Sequence, residues 1–224
     1  AAVDAGFVER TGQEYGLDKP LPVQLLTYMK QLLSFELANS YRENRPVKEI
    51  VLEKLPATLL LTLTALVFSV AVGVGLGIAA ARRAGTALDA LITAGSLVFF
   101  AMPLFWIGLL AIVVFSMKLG WLPPYGMSTV GADLTGWAAW ADVAQHLVMP
   151  AVTLGLFYVA IYTRVTRAAA LEVMDQDFVK TARAKGVPEG RIWRRHILRN
   201  SVLPVITFVS LQAGHVLGGS VVIG

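Results

Sequence analysis

Four long stretches of this chain carry no Asp, Glu, Lys or Arg: Leu55–Ala81, Ala90–Met117, Val143–Thr163 and Asn200–Gly224, of 27, 28, 21 and 25 residues. Each is long enough to cross a hydrocarbon layer of about 30 Å at about 1.5 Å rise per residue. The pattern predicts an all-α, polytopic membrane protein with four visible spans. Ahead of them, Leu25, Leu26, Met29, Leu32 and Leu33 recur at i, i+1, i+4, i+7 and i+8. That spacing predicts an amphipathic helix over Val23–Leu33, lying against the membrane exterior. Pro46 is expected to start a short helix running toward the first span, with Pro56 in its opening turns, where a proline is tolerated. The division this implies is an exterior segment, 1–54, and a transmembrane domain, 55–224.

Composition agrees with the pattern: 56% of residues are hydrophobic and 15% charged, against about 25% charged in a globular average. Mean hydropathy is +0.64 and the sequence pI is near 9.5. A basic pI raises the question of nucleic acid, which the placement of the charges answers. Because spans alternate sides, 82–89 and 164–199 share one compartment, with 11 basic and 5 acidic residues. The remaining polar segments hold 8 basic and 10 acidic residues. The basic excess marks the cytoplasmic side, so it is topological and no nucleic-acid partner is expected.

Candidate chemistry inside the spans is sparse. The chain has no cysteine, which removes disulfides and thiolate metal sites. Gly73 and Gly77 form a G-x-x-x-G step that lets another helix backbone come close, and Gly214 and Gly218 repeat it in the last span. The overlapping run from Gly75 to Ala80 matches a dinucleotide fingerprint, G-x-G-x-x-A, but lies in a long apolar helix instead of after a short strand. Pro103 sits mid-span, either as a fixed bend or as a hinge. His146 opens the third span at the water boundary, and His215 lies in the fourth; each is a candidate for a transport role, and no metal-ligand spacing links them.

The polar segment between the third and fourth spans is the most informative. Asp175 or Asp177 can cap a helix over Phe178–Lys185, which Gly186 ends in a left-handed turn. Pro188 and Glu189 suit the first turn of a second helix, Arg191–Arg199. Phe178, Val179 and Ala182 share a face, and Ile192, Trp193, Ile197 and Leu198 add apolar surface beside the arginines. A unit this small has the form either of a docking element for another protein or of an interfacial loop held by anionic lipid.

The run from Phe178 through Lys180, Thr181 and Ala182 to Gly186, followed by Ile192, His196 to Asn200 and Pro204, resembles the cytoplasmic loop of ABC importer permeases. The general family pattern is Glu-Ala-Ala, three residues, Gly, nine residues, Ile-x-Leu-Pro. Ala182, Gly186 and Leu198 keep it; Lys180, Thr181, His196 and Arg199 depart from it in the manner of the dipeptide, oligopeptide and nickel group of binding-protein-dependent permeases. The resemblance extends over 16–24, 45–47, 55–58, Asp89, 120–123, 146–150 and Gly218-Gly219.

What the resemblance implies is a type I importer permease fold, of which this chain is expected to be a fragment: six spans in the intact subunit, four visible here. It implies one half of a pore for di- or oligopeptides in the inner membrane of a prokaryote. The implied partners are a second permease in a heterodimer, two ATPase subunits, an extracytoplasmic solute-binding protein, the peptide and membrane lipid. The coupling loop would lie at about 168–200, with Asp177, Phe178, Ala182, Lys185, Gly186, Arg191, Arg195 and His196 at or near the ATPase contact. No catalytic residue, metal or cofactor is expected in this chain; with no Gly-Lys dipeptide it has no Walker A loop, so ATP and Mg²⁺ fall to the partners. Nickel, glutathione or another small solute is the alternative cargo. An intramembrane enzyme is a remoter alternative, since no acid pair or Ser–His constellation is present in the spans.

Overall fold

The computed structural model describes residues 20–33, 39–40 and 45–222, with side-chain surroundings given from 45 to 212 and for part of the rest. The described chain is almost wholly helical. Two compact units divide between Pro56 and Ala57.

In the first unit, α1 is Leu21–Leu33, and Leu25, Leu26 and Met29 on its apolar face are exposed; Leu32 and Leu33 fall outside the described side chains. Two-residue strands, β1 (Asn39–Ser40) and β2 (Arg45–Pro46), pair antiparallel. They lead into α2, Val47–Arg82. Pro56 is therefore three turns inside one continuous helix, a correction to the short helix expected from Pro46. Lacking an N–H, Pro56 cannot bond the Leu52 carbonyl, a loss that a helix reaching a membrane can absorb.

In the second unit, α2 packs along α5, Trp137–Met174. Both helices are long and apolar enough to cross a membrane. Buried Ala65, Ser69, Gly73, Gly77 and Ala81 follow each other every fourth residue on α2, and Ala65, Gly73 and Gly77 face Gly155, Val159, Thr163 and Thr166 on α5. A Cβ on Gly73 would come 2.6 Å from Tyr162 Cβ, one on Gly77 2.8 Å from the Thr163 carbonyl oxygen, and one on Gly155 2.5 Å from Phe68 Cδ1. The absent side chains are what let the two backbones approach. Gly75 faces nothing within 4 Å. Gly214 and Gly218 lie beyond the described side chains, as does His215.

The second stretch is not one continuous helix. α3 (Ala87–Ala101) and α4 (Leu104–Ala111, running on as a π-helical segment Ile112–Lys118) meet at a bend of 100°. Met102 and Pro103 are extended, with ψ of 137° and 130°. A proline pushes the residue before it out of the α region, so the helix breaks here where only a kink was expected. Counted as one, the bent pair supplies a third crossing. The last helix, α9, is Leu203–Val222, tied to α5 by a 2.6 Å hydrogen bond from Gln212 Nε2 to the Tyr158 hydroxyl.

Candidate functional site: the loop after α5 and its seat

Beyond α5 the chain turns at Asp175 into α6, Asp177–Ala184, then α7, Glu189–Ile192, a π-helical segment Trp193–Ile197, and α8, Leu198–Ser201. The N-cap of α6 is Gln176 and makes no side-chain cap bond, so neither Asp175 nor Asp177 caps it. The acid at the first turn still complements the helix dipole. The other end is as expected. Gly186 holds φ +76°, its N–H bonds the Arg183 carbonyl at 2.9 Å, and the Val187 N–H bonds the Ala182 carbonyl at 3.1 Å. These are the paired bonds of a Schellman turn, which requires a left-handed residue at that position. Pro188 is the N-cap of α7, one residue outside the helix.

The sequence suggested a loop too small for a core of its own. The structure gives it a shared one. Val179 and Ala182 of α6 pack with Ile192, Trp193 and Ile197 against Ala81 at the end of α2 and Ala170 near the end of α5. Five of these seven residues are at most 1% exposed. Val179, Ala182, Ile192, Trp193 and Ile197, read as docking surface, are thus the seat, while Phe178 stays exposed and Leu198 half-buried; Ala182, expected at the contact, is buried. The Arg82 guanidinium lies 5.4 Å from the centre of the Trp193 ring, closing the seat from the α2 side. Arg183 Nε donates to Glu189 Oε1 at 2.7 Å, bracing the two loop helices across Gly186.

The outward face collects most of the other expected residues. Asp177, Phe178, Lys185, Gly186, Arg191 and Arg195 are exposed and His196 is half-buried. The structure brings Phe178 and His196 together from separate helices, with ring centres 6.2 Å apart. Asp177 pairs with Lys180 at 3.3 Å, whereas Lys185, Arg191 and Arg195 have no ion pair among the described residues.

Sequence reasoning missed one strong contact beside the seat. Arg167 on α5 bonds Asp89 on α3 through a guanidinium fork, Nε to Oδ1 at 2.6 Å and a terminal nitrogen to Oδ2 at 2.8 Å. Asp89 is 5% exposed and also accepts the Gly85 N–H at 3.0 Å. An acid in the first turn of a helix and an unassigned arginine on another were visible signals; their pairing 78 residues apart was not.

At the other end of α5, Asp142 accepts the Thr129 N–H at 2.8 Å and its hydroxyl at 2.6 Å, holding the loop 119–136 against the helix. His146 is buried, its Nδ1 2.8 Å from the Asp142 carbonyl oxygen. The ring borders a cavity of about 520 Å³ lined also by Leu61, Tyr125, Gly126, Pro150 and Thr153. Pro103 lies at the α3–α4 break. Among the described residues, no three of His, Asp or Glu converge in a way that would hold a metal ion.

These elements define a multi-pass helical membrane protein with a braced loop fixed to the ends of two long apolar helices. Residues 73–224 match the family described as binding-protein-dependent transport system inner membrane component, and the chain belongs to it. It is 37% identical over 212 residues to the oligopeptide transport system permease protein AppB of Bacillus subtilis (strain 168), covering 94% of this chain and 66% of that protein. It is 38% identical to the di/tripeptide transport system permease protein DppB of Pseudomonas aeruginosa (strain UCBPP-PA14), covering 92% and 66%. With the glutathione transport system permease protein GsiC of Escherichia coli O6:H1 the identity is 39%, over 98% and 67%. The chain spans about two thirds of the length of these relatives.

Proposed function

We propose that this chain forms part of the membrane pore of an ATP-driven importer of di- and oligopeptides, and that 175–200 receives the force of a partner ATPase. The observation that carries the reading is the two-sided loop. Its inner side is fixed to α2 and α5, and its outer side offers the Phe178–His196 ring pair and three cations with no ion pair among the described residues. A load applied to the outer side would pass into the spans and would not be lost in a flexible hinge. Lys185, Arg191 and Arg195 would meet acids on the ATPase, and Gly186 would set the angle between α6 and α7. ATP and Mg²⁺ would be held by two ATPase copies, since the cytoplasmic segments here, 82–89 and 164–199, are below the roughly 40 residues a lone core needs. A second permease would complete the pore, and an extracytoplasmic binding protein would deliver the peptide. The peptide assignment is supported by the names of most of the quoted relatives; glutathione is the competing cargo.

The test is reconstitution in liposomes. The purified subunit alone is expected to hydrolyse no ATP. Hydrolysis stimulated by peptide-loaded binding protein should appear when the second permease and two ATPases are added. Reversing Arg191 and Arg195 to Glu should weaken assembly most at low salt, because exposed pairs are screened beyond about 8–10 Å at physiological ionic strength. ATP hydrolysis by the isolated chain would overturn the reading, and stimulation by glutathione but not by peptides would reassign the cargo.

A further inference from the structure

The Asp89–Arg167 pair differs from the other lysine and arginine ion pairs among the described residues. Arg45–Glu53, Lys180–Asp177 and Arg183–Glu189 are exposed on both sides, whereas the Asp89 side chain is 7% exposed and that of Arg167 30%. It is a fork with two short bonds, which fixes orientation as well as distance, as a single ammonium contact would not. Its position is also particular. Thr166, one residue before Arg167, and the Arg167 backbone itself meet Gly77 of α2. Ala170, one turn after it, belongs to the loop's seat. On the other side, Asp89 lies in the first turn of α3 and pins the α2–α3 turn through Gly85, which holds φ +78°. Thr93, one turn on, lies 3.5 Å from Oδ1. Twelve residues beyond Asp89, about 18 Å along the helix, α3 ends at the 100° break before α4.

From this arrangement we infer that Asp89 and Arg167 are positioning residues that carry movement of the cytoplasmic loop into the bent pair α3–α4. The inference rests on the importer reading above. The loop's seat includes Ala170, so a tilt of the seat tilts the stretch of α5 that bears Arg167. The fork obliges the first turn of α3 to follow that tilt without swivelling, and α3 delivers it to the break at Pro103. An ion pair that only held the fold together would have no bearing on how much solute moves per ATP; a joint would.

The experiment uses the complete importer in liposomes, with the intact permease carrying each substitution, and reads peptide uptake and ATP hydrolysis on the same vesicles. Arg167→Lys keeps the charge and removes the fork. Asp89→Asn keeps an acceptor for Gly85 and removes the charge. Both variants are expected to assemble with the partners and to keep peptide-stimulated hydrolysis within about twofold. Peptide taken up per ATP should fall about tenfold, within the roughly 5–150-fold range of coupling between sites. Uptake and hydrolysis falling in step, loss of assembly in both variants, or no change in the ratio would each overturn the joint. A wild-type complex without peptide-stimulated hydrolysis would overturn the importer reading itself, and the joint with it.

Discussion

The seam between α2 and α5 can be tested by placing the same substitution at two glycines two residues apart. Gly75 and Gly77 both lie inside α2, so the gain in helix propensity from Gly to Ala, about 0.8–1.0 kcal/mol, is common to both. Their surroundings differ. A Cβ at Gly75 meets nothing within 4 Å, whereas one at Gly77 would sit 2.6 Å from Thr166 Cβ, 2.8 Å from the Thr163 carbonyl oxygen and 3.1 Å from the Arg167 amide nitrogen. Non-bonded carbons rest at about 3.5–4.0 Å, so close to 1 Å has to be found. Two of the three obstacles are backbone and cannot rotate away. Opening the seam would also loosen its neighbours, since a gap of about 0.5–1 Å forfeits a quarter to a half of each contact. Overpacking of this kind costs about 1–3 kcal/mol. Gly77→Ala should therefore unfold below Gly75→Ala by about 2–12 °C, at roughly 2–4 °C per kcal/mol for a chain of this length. The measurement is thermal unfolding of the purified chain in detergent, followed by tryptophan fluorescence. Midpoints within a degree of each other, or a higher one for Gly77→Ala, would refute the close approach.

Other consequences are open to direct measurement. Gly186→Val places a β-branched residue at φ +76°, a strain of at least about 1–2 kcal/mol; the variant should reach the membrane but show lower peptide-stimulated hydrolysis and uptake together, and normal stimulation would count against the turn as a coupling element. Because the chain has no cysteine, single cysteines at Ser128 and Thr181 report topology without background. An impermeant thiol reagent should label the first on intact cells and the second only after permeabilisation, and labelling of both from outside would reverse the orientation. Thr129→Val removes a side-chain bond to Asp142 and should speed nicking of the loop 119–136 by an exterior protease about tenfold, at about 1.5 kcal/mol for a bond to a charged acceptor. An unchanged rate would show that this bond does not hold the loop.

Features set by local rules were legible in the sequence. Uncharged length marked the first and third spans, and Gly186 between two short amphipathic runs announced a left-handed helix end. What escaped depended on partners distant in the chain. The apolar residues of α6 and α7 have the same spacing whether they face a partner or their own spans, and only Ala81 and Ala170 decide between these. The G-x-x-x-G at Gly73 and Gly77 was visible, but its continuation through Ala65, Ser69 and Ala81 was obscured because alanine and serine are common in any apolar helix. Pro103 signalled a disturbance, yet local sterics do not distinguish a kink from a full break; packing of α3 and α4 on α5 decides that. The Asp89–Arg167 fork joins residues no periodicity relates.

The length of α5 has a further consequence. Its uncharged portion, 143–163, spans about 31 Å, and 164–174 continues for about 16 Å beyond it. One rod therefore works in two solvents. The seam from Ala65 to Gly73 runs along the uncharged portion, where lipid replaces water, so it is held by close dispersion contact and gains little from the exclusion of water. The seat of the loop, built on Ala170, lies past the hydrocarbon and is held by burial of apolar surface from water, a force that weakens on cooling and in urea. Moderate urea should therefore lift the loop from its seat while the α2–α5 seam stays closed, disconnecting the cytoplasmic end from a transmembrane pair that remains folded.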